Sequence, residues 1–164
     1  MIRAFCTLGP IGHLRPAPGT WGSAAAIPLA WGLHELGGFW LLLVATLAVS
    51  ALGWWAVGEA TKHSADKDPS EIIIDEVAGQ WIALLPVSLG AQIAGADFWA
   101  LWPGVLTAFL AFRLFDIWKP GPVGWADRQP GAFGVMADDL IAGWLAALIV
   151  VVFAVVAHLP GVLA

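Results

Sequence analysis

The stretch Val135-Met136-Ala137-Asp138-Asp139-Leu140-Ile141-Ala142-Gly143 places two adjacent carboxylates at the opening of an apolar run that continues to Ala157. A run of that length suits a membrane-spanning helix, which needs about 20 mainly apolar residues. An Asp driven to the centre of such a span costs on the order of 2.5 to 3.5 kcal/mol, so chains keep one only near water or beside a partner. A second pair, Asp75-Glu76, opens another apolar run. Between the pairs lie Asp116, in Phe112-Arg113-Leu114-Phe115-Asp116-Ile117-Trp118-Lys119-Pro120, and Asp127, in Trp125-Ala126-Asp127-Arg128. These six carboxylates require a common explanation.

Composition sets the solvent in which they act. Of 164 residues, 60% are apolar and only 12% charged, whereas soluble domains carry about 25% charged residues. The expected protein is a single membrane-embedded domain, 1–164. Spans must be helices or a closed barrel, because the bilayer core offers the backbone no water. The unbroken apolar runs exclude the alternation a barrel needs. A net charge of -5 with seven Lys and Arg argues against a nucleic-acid partner. Cys6, the one cysteine, can form neither an internal disulfide nor a zinc cluster. The N-terminus lacks the continuous apolar core of a signal peptide, since Gly and Pro interrupt from position 9.

Taken in order, residues 9–23 hold four Gly and three Pro and read as a tight loop, with Thr20 as the N-cap of the first helix. That first run, Trp21 to Leu33, is short and carries Pro28, so a kinked or broken span is expected. Phe39 to Ala60 follows the Gly37-Gly38 turn. Asp68-Pro69-Ser70-Glu71 reads as an N-cap, a first-turn Pro and an N3 acid, which would start the third helix before Asp75 and carry it to about Ala94, with a kink at Pro86. Phe98 to Trp118 forms the fourth span, and Lys119 to Phe133 a second Pro- and Gly-rich loop. The last span is expected from about Val135 to His158, stopped by Leu159-Pro160-Gly161. The fold class is therefore an all-α integral membrane bundle of about five transmembrane helices.

The positive-inside rule checks this count independently. Arg3, Arg15, Lys62, Lys67, Lys119 and Arg128 fall in segments on the N-terminal side, and Arg113 approaches that side at the end of span four. The opposite segments, His34 to Gly38, Gly95 to Asp97 and Leu159 to Ala164, contain none. The asymmetry predicts a cytoplasmic N-terminus and gathers all six acids at the cytoplasmic face.

Acids near helix N-termini gain roughly 0.3 to 1 kcal/mol from the helix dipole, which accounts for Glu71. It does not account for two adjacent pairs at a leaflet surface that is itself negative. A bound hard cation would, and Mg²⁺ with its preference for carboxylate and phosphate oxygens suits the inventory. Gly79, Ala142 and Gly143 would let the two helices approach closely enough to share one ion. His13 and His63 have no paired spacing for zinc. An anionic substrate needs cations as well, and Arg113, Lys119 and Arg128 surround the acidic loop. The turn Pro18-Gly19-Thr20-Trp21-Gly22-Ser23 adds open backbone N–H groups at a helix N-terminus. Cys6 lacks the Arg-bearing phosphate loop of a thiolate phosphatase, and Ser23 has no evident His and Asp for a triad.

The chain resembles the phosphatidylglycerophosphatase A family. The resemblance rests on Ala17-Pro18-Gly19-Thr20-Trp21-Gly22-Ser23, Ile74-Asp75-Glu76-Val77-Ala78-Gly79-Gln80-Trp81-Ile82, Phe112 to Pro120, Asp127-Arg128, and Gly134 to Asp139 with Ala142-Gly143. It departs from the family pattern at Pro10, Arg15 and Gly131-Ala132. The resemblance implies a Mg²⁺-dependent phosphatase of a bacterial cytoplasmic membrane, facing the cytoplasm, that removes the terminal phosphate of the lipid phosphatidylglycerophosphate. On that reading Asp75, Glu76, Asp138 and Asp139 are expected to hold the metal. Arg113, Lys119 and Arg128, with the turn at Gly19, Thr20 and Ser23, hold the phosphate. Asp116, Asp127 and Asp139 are the catalytic acids. The alternatives are a cation transporter or channel with an acidic rim, which predicts acids at mid-span, and a phospholipid-alcohol phosphotransferase, whose Asp-Gly-x-x-Ala-Arg core is missing here.

Overall fold

A computed structural model describes residues 1–62 and 69–162, with side chains to 157, and every regular element within them is helical. Lys67, His63 and Asp68 lie outside the described residues. The elements are a short α1 (Ile2–Cys6), α2 (Pro18–Thr61), α3 (Ile74–Ala94), α4 (Trp102–Trp118), α5 (Pro122–Asp127) and α6 (Gly131–Val162), with 3₁₀ turns at Ile11–His13 and Phe98–Leu101.

Among the described residues, four helices are long and apolar enough to cross a membrane: α2, α3, α6, and α4 together with the turn before it. The first is really two. Within the 44 residues of α2 the backbone leaves helical geometry at Gly37 (φ -160°, ψ 18°) and Gly38 (φ 66°, ψ -158°). Gly38 sits where a Cβ is disfavoured, and an added Cβ would also strike the Gln92 side chain. That side chain instead accepts a 2.7 Å hydrogen bond from the Phe39 N–H.

The neighbours of α3 show that the chain reverses there. Gly22 lies against Ile73, Ala26 accepts from the Trp81 indole N–H at 2.8 Å, and His34 meets Ser88 at 2.7 Å, so the arm 18–36 runs parallel to α3. Phe39 is beside Gln92 and Gly53 beside Ile74, so the arm 39–61 runs antiparallel to it. At 1.5 Å per residue the first arm is about 28 Å long, close to the hydrocarbon thickness of a bilayer. The bundle thus has about five crossing segments, as the sequence predicts, and the expected turn falls at Gly37-Gly38, whereas Pro28 and Pro86, where a break and a kink are expected from the sequence, stay inside helical backbone.

Several boundaries differ from expectation. α2 starts at Pro18, with Ala17 and not Thr20 as N-cap, because a proline at the first helical position has the right φ and no N–H to satisfy. α3 starts at Ile74, so Asp75 and Glu76 occupy its first turn. The residues before it are held out of the helix: the Ile72 N–H closes a turn onto the Pro69 carbonyl at 2.9 Å, and the Ile73 N–H donates to the Cys6 carbonyl at 2.8 Å. The loop after α4 folds into α5, again with proline in its first turn. α6 begins at Gly131, a turn earlier than Val135, and is helical past Pro160 to Val162, since a proline forfeits only one backbone bond of the helix.

α3 is the central helix, packed by both arms of α2 and by α4 and α6. Its buried face shares one hydrophobic core with Phe112, Met136, Leu42 and Val57, while Val44, Leu47, Leu110, Trp144 and Leu148 point outward, as a lipid-facing surface requires. α3 and α6 run parallel and touch backbone to backbone. A Cβ on Gly79 would stand 2.5 Å from the Asp139 carbonyl oxygen, and one on Gly143 would strike the carbonyl of Gly79.

Candidate active site

That close crossing brings the acid pairs together. Asp75 and Glu76, in the first turn of α3, and Asp139, two turns into α6, offer oxygens within 4.8 Å of one another, and so do Asp116, Asp138 and Asp139. Asp139 belongs to both groups. It is 3% exposed, Asp138 5% and Asp75 6%, so three acids are withdrawn from water at one end of the bundle. Like charges this close repel strongly where the dielectric is low. The Glu76 N–H donates to Asp75 Oδ1 at 3.1 Å, but Glu76 Oε2 and Asp138 Oδ1 are buried with no hydrogen-bond partner among the described residues.

Cations flank the acids on two sides. Arg113, in the last turns of α4, pairs with Asp116 one turn along at 2.5 Å and donates to Ser23 Oγ at 3.3 Å. The Ser23 hydroxyl donates in turn to the Gly19 carbonyl at 2.8 Å, so Ser23 braces Arg113 against the first turn of α2. Gly19 leaves room for this: a Cβ there would collide with the Glu76 carboxylate and lie 3.3 Å from Arg113 Nη1. The N–H groups of Gly19 and Thr20 have no acceptor among the described residues, as the start of a helix allows.

On the other side, Lys119 caps α4 in the left-handed conformation (φ 49°), its N–H bonded to the Phe115 carbonyl at 2.8 Å. This turn directs its ammonium back to α5 and α6, where it bonds Asp127 and, at 2.8 Å, Asp138 Oδ2. Burial, the largest single influence, lowers the affinity of Lys119 for its proton; the bonds and charges of Asp127 and Asp138 outweigh it and hold its pKa above the usual lysine value.

Of the residues singled out in the sequence, Asp75, Glu76, Asp116, Asp138 and Asp139 therefore converge. Arg113, Ser23, Gly19 and Lys119 line the same end, with Thr20 beside them on the first turn of α2, and Asp127 reaches the cluster through Lys119. Arg128 stands apart, exposed and with no ion pair among the described residues. Sequence reasoning missed Gln80, which is fully buried one turn beyond Glu76 with neither amide atom partnered among the described residues. A polar residue inside the apolar run Val77–Leu85 was the available signal.

The family model described as "Phosphatidylglycerophosphatase A" matches residues 4–154. Proteins of that name are similar to the chain: one from Escherichia coli is 33% identical over 131 residues, 79% of this chain and 70% of its own length. Another, from Haemophilus influenzae, is 36% identical over 145 residues, 88% of this chain and 82% of its own. A Bacteroides thetaiotaomicron protein provisionally named as a phosphatidylinositol-3-phosphatase is 37% identical over 131 residues, 77% of each chain. No solved structure matches the chain.

Proposed function

The chain belongs to the phosphatidylglycerophosphatase A family, and on that premise we propose that it hydrolyses the terminal phosphate of phosphatidylglycerophosphate, with Mg²⁺, at the cytoplasmic face of a bacterial inner membrane. The observation that carries the reading is Asp139, shared by two buried carboxylate groups that Arg113 and Lys119 flank. Acids alone would suit any cation. Acids with cations and open helix N–H groups suit a metal and a phosphate together.

The donor set fits Mg²⁺: every candidate ligand is an oxygen, and Glu76 Oε2 and Asp138 Oδ1 lack other partners. Asp75, Glu76, Asp138 and Asp139 would hold the ion, with Asp116 close enough to join. When bound, Mg²⁺ supplies neutralisation of phosphoryl oxygens and a lowered pKa for water. Arg113 and the N–H groups of Gly19 and Thr20 bind the phosphate on the α2 side. Ser23 keeps the Arg113 guanidinium turned toward Glu76. Lys119 serves the opposite side, and Arg128, exposed beyond α5, meets the headgroup as it arrives. Asp116 accepts the proton of the attacking water, whose oxygen forms the new bond to phosphorus. Asp116 then passes that proton to the glycerol oxygen as its bond to phosphorus breaks, while Asp127, at the solvent edge, stays ionised and holds Lys119 in place. The acyl chains remain in the bilayer beside the exposed apolar faces, and only the headgroup enters.

A cation-transport role finds no acids at mid-span among the described residues, since Glu35 and Asp97 sit at the far end and Glu59 in the last turn of α2. The test is phosphate release by the purified protein in detergent, with Mg²⁺ or with chelator, from phosphatidylglycerophosphate and, in parallel, from phosphatidylinositol 3-phosphate. Release from the first substrate that disappears with chelator and with Asp139→Asn is expected. Activity surviving both would end the metal assignment, and preference for the inositol lipid would replace the substrate.

A further inference from the structure

Gln80 is polar, 0% exposed, and surrounded by the bundle, yet neither its amide nitrogen nor its carbonyl oxygen has a partner among the described residues. Buried amides in folded proteins are almost always hydrogen-bonded. The α3 neighbours on either side are accounted for: Gly79 lies against Phe112 and the Asp139 backbone, and the Trp81 indole donates to Ala26. Gln80 lies between these directions.

Its place on α3 tells where it is aimed. Four residues separate it from Glu76, so the two share a face, with Cβ atoms about 5 to 6 Å apart. Helical side chains lean toward the N-terminus of their helix, which tips the carboxamide toward the Glu76 carboxylate. Glu76 itself abuts Gly19 and Arg113. Two more buried side-chain atoms lack partners among the described residues, Glu76 Oε2 and Arg113 Nε. One is an acceptor and the other a donor, and a carboxamide with its two hydrogens and its carbonyl oxygen is equipped for both.

We propose that Gln80 is a positioning residue of the phosphatase site, fixing the inward sides of the Glu76 carboxylate and the Arg113 guanidinium through buried water held by its carboxamide. With the carboxamide, Glu76 Oε2 and Arg113 Nε as partners, such a water would have the about three polar contacts that buried waters use. It would hold one metal-binding carboxylate and one phosphate-binding cation in register, from a layer the lipid headgroup does not reach. The inference rests on the function proposed above.

The experiment compares wild type with Gln80→Met, which keeps length and loses hydrogen bonding, and with Gln80→Asn, which keeps the carboxamide. Each is assayed on phosphatidylglycerophosphate over a range of Mg²⁺, with thermal unfolding in detergent alongside. Gln80→Met should unfold at or above the wild-type temperature, keep KM for the lipid within twofold, lose at least tenfold in kcat and need more Mg²⁺ for half-activation. Gln80→Asn should lose less. A Met variant within twofold of wild-type kcat overturns the proposal, as does a fall in unfolding temperature that accompanies the lost activity, which marks a packing role. Wild-type protein inactive on the lipid would instead overturn the function, and the role of Gln80 with it.

Discussion

Gly143 packs so closely on Gly79 that a methyl group on the one would strike the carbonyl oxygen of the other. The contact sets the distance between α3 and α6, and through it the separation of Asp139 from Asp75 and Glu76. Overpacking a well-filled interface costs about 1 to 3 kcal/mol. Gly143→Ala should lower the unfolding temperature in detergent by several degrees and reduce kcat by more than tenfold, because the helices must part where the carboxylates meet. Gly32→Ala, at a glycine with open space around it, should do neither.

Asp139→Asn separates the cost of the acid cluster from its use. Removing one charge relieves repulsion within both carboxylate groups, so in chelator the variant should unfold at a higher temperature than wild type. Adding Mg²⁺ should reverse the order. A ligand at 100 times its Kd stabilises by about 2.7 kcal/mol, and only wild type should gain it. Thermal unfolding of both proteins across a Mg²⁺ titration reads the crossover without an activity assay.

Lys119 joins α4 to α5 and α6 through Asp127 and Asp138, and its proton is held more tightly than in a free lysine. Raised affinity in the folded state means the contribution is complete below the unfolded pKa, about 10.4, and is lost as pH rises from there through the folded value. The difference in unfolding temperature between wild type and Lys119→Met should therefore be constant from pH 6 to 9 and narrow above about pH 10.5. The same variant should lose ten- to a hundredfold in kcat/KM, with Lys119→Arg retaining more.

Cys6 is buried, and its carbonyl accepts the Ile73 N–H that sets the start of α3. Burial, partly offset by a backbone hydrogen bond, pushes the thiol pKa up. The thiolate is the reactive form, so a maleimide should leave the folded protein nearly unlabelled at pH 7 and label it fully in SDS. That silence provides a clean background for topology. On intact cells an impermeant maleimide should label Ala94→Cys and spare His13→Cys; the reverse pattern would place the site on the outer face.

The acid set was legible because charge in an apolar chain is costly and must be grouped or neutralised, and the pairing of Gly79 with Gly143 because small residues beside acids signal close helices. The turn at Gly37-Gly38 was legible for a similar reason. What escaped depends on partners distant in the chain. The pattern Asp68 to Glu71 resembles a helix start, but the carbonyl of Cys6 claims the Ile73 N–H and delays α3 to Ile74. Ser23 offers itself in sequence as a phosphate ligand, and only the fold shows its hydroxyl between Gly19 and Arg113. Lys119 in left-handed geometry is likewise a product of the α5 and α6 acids that draw it.

Asp139 lies on the last helix and completes both carboxylate groups. A chain emerging from the ribosome therefore carries Asp75, Glu76 and Asp116 into the membrane well before the residue that unites them. Until α6 is inserted against α3, neither carboxylate group exists, and the nascent protein lacks the proposed site while most of its bundle has already been built.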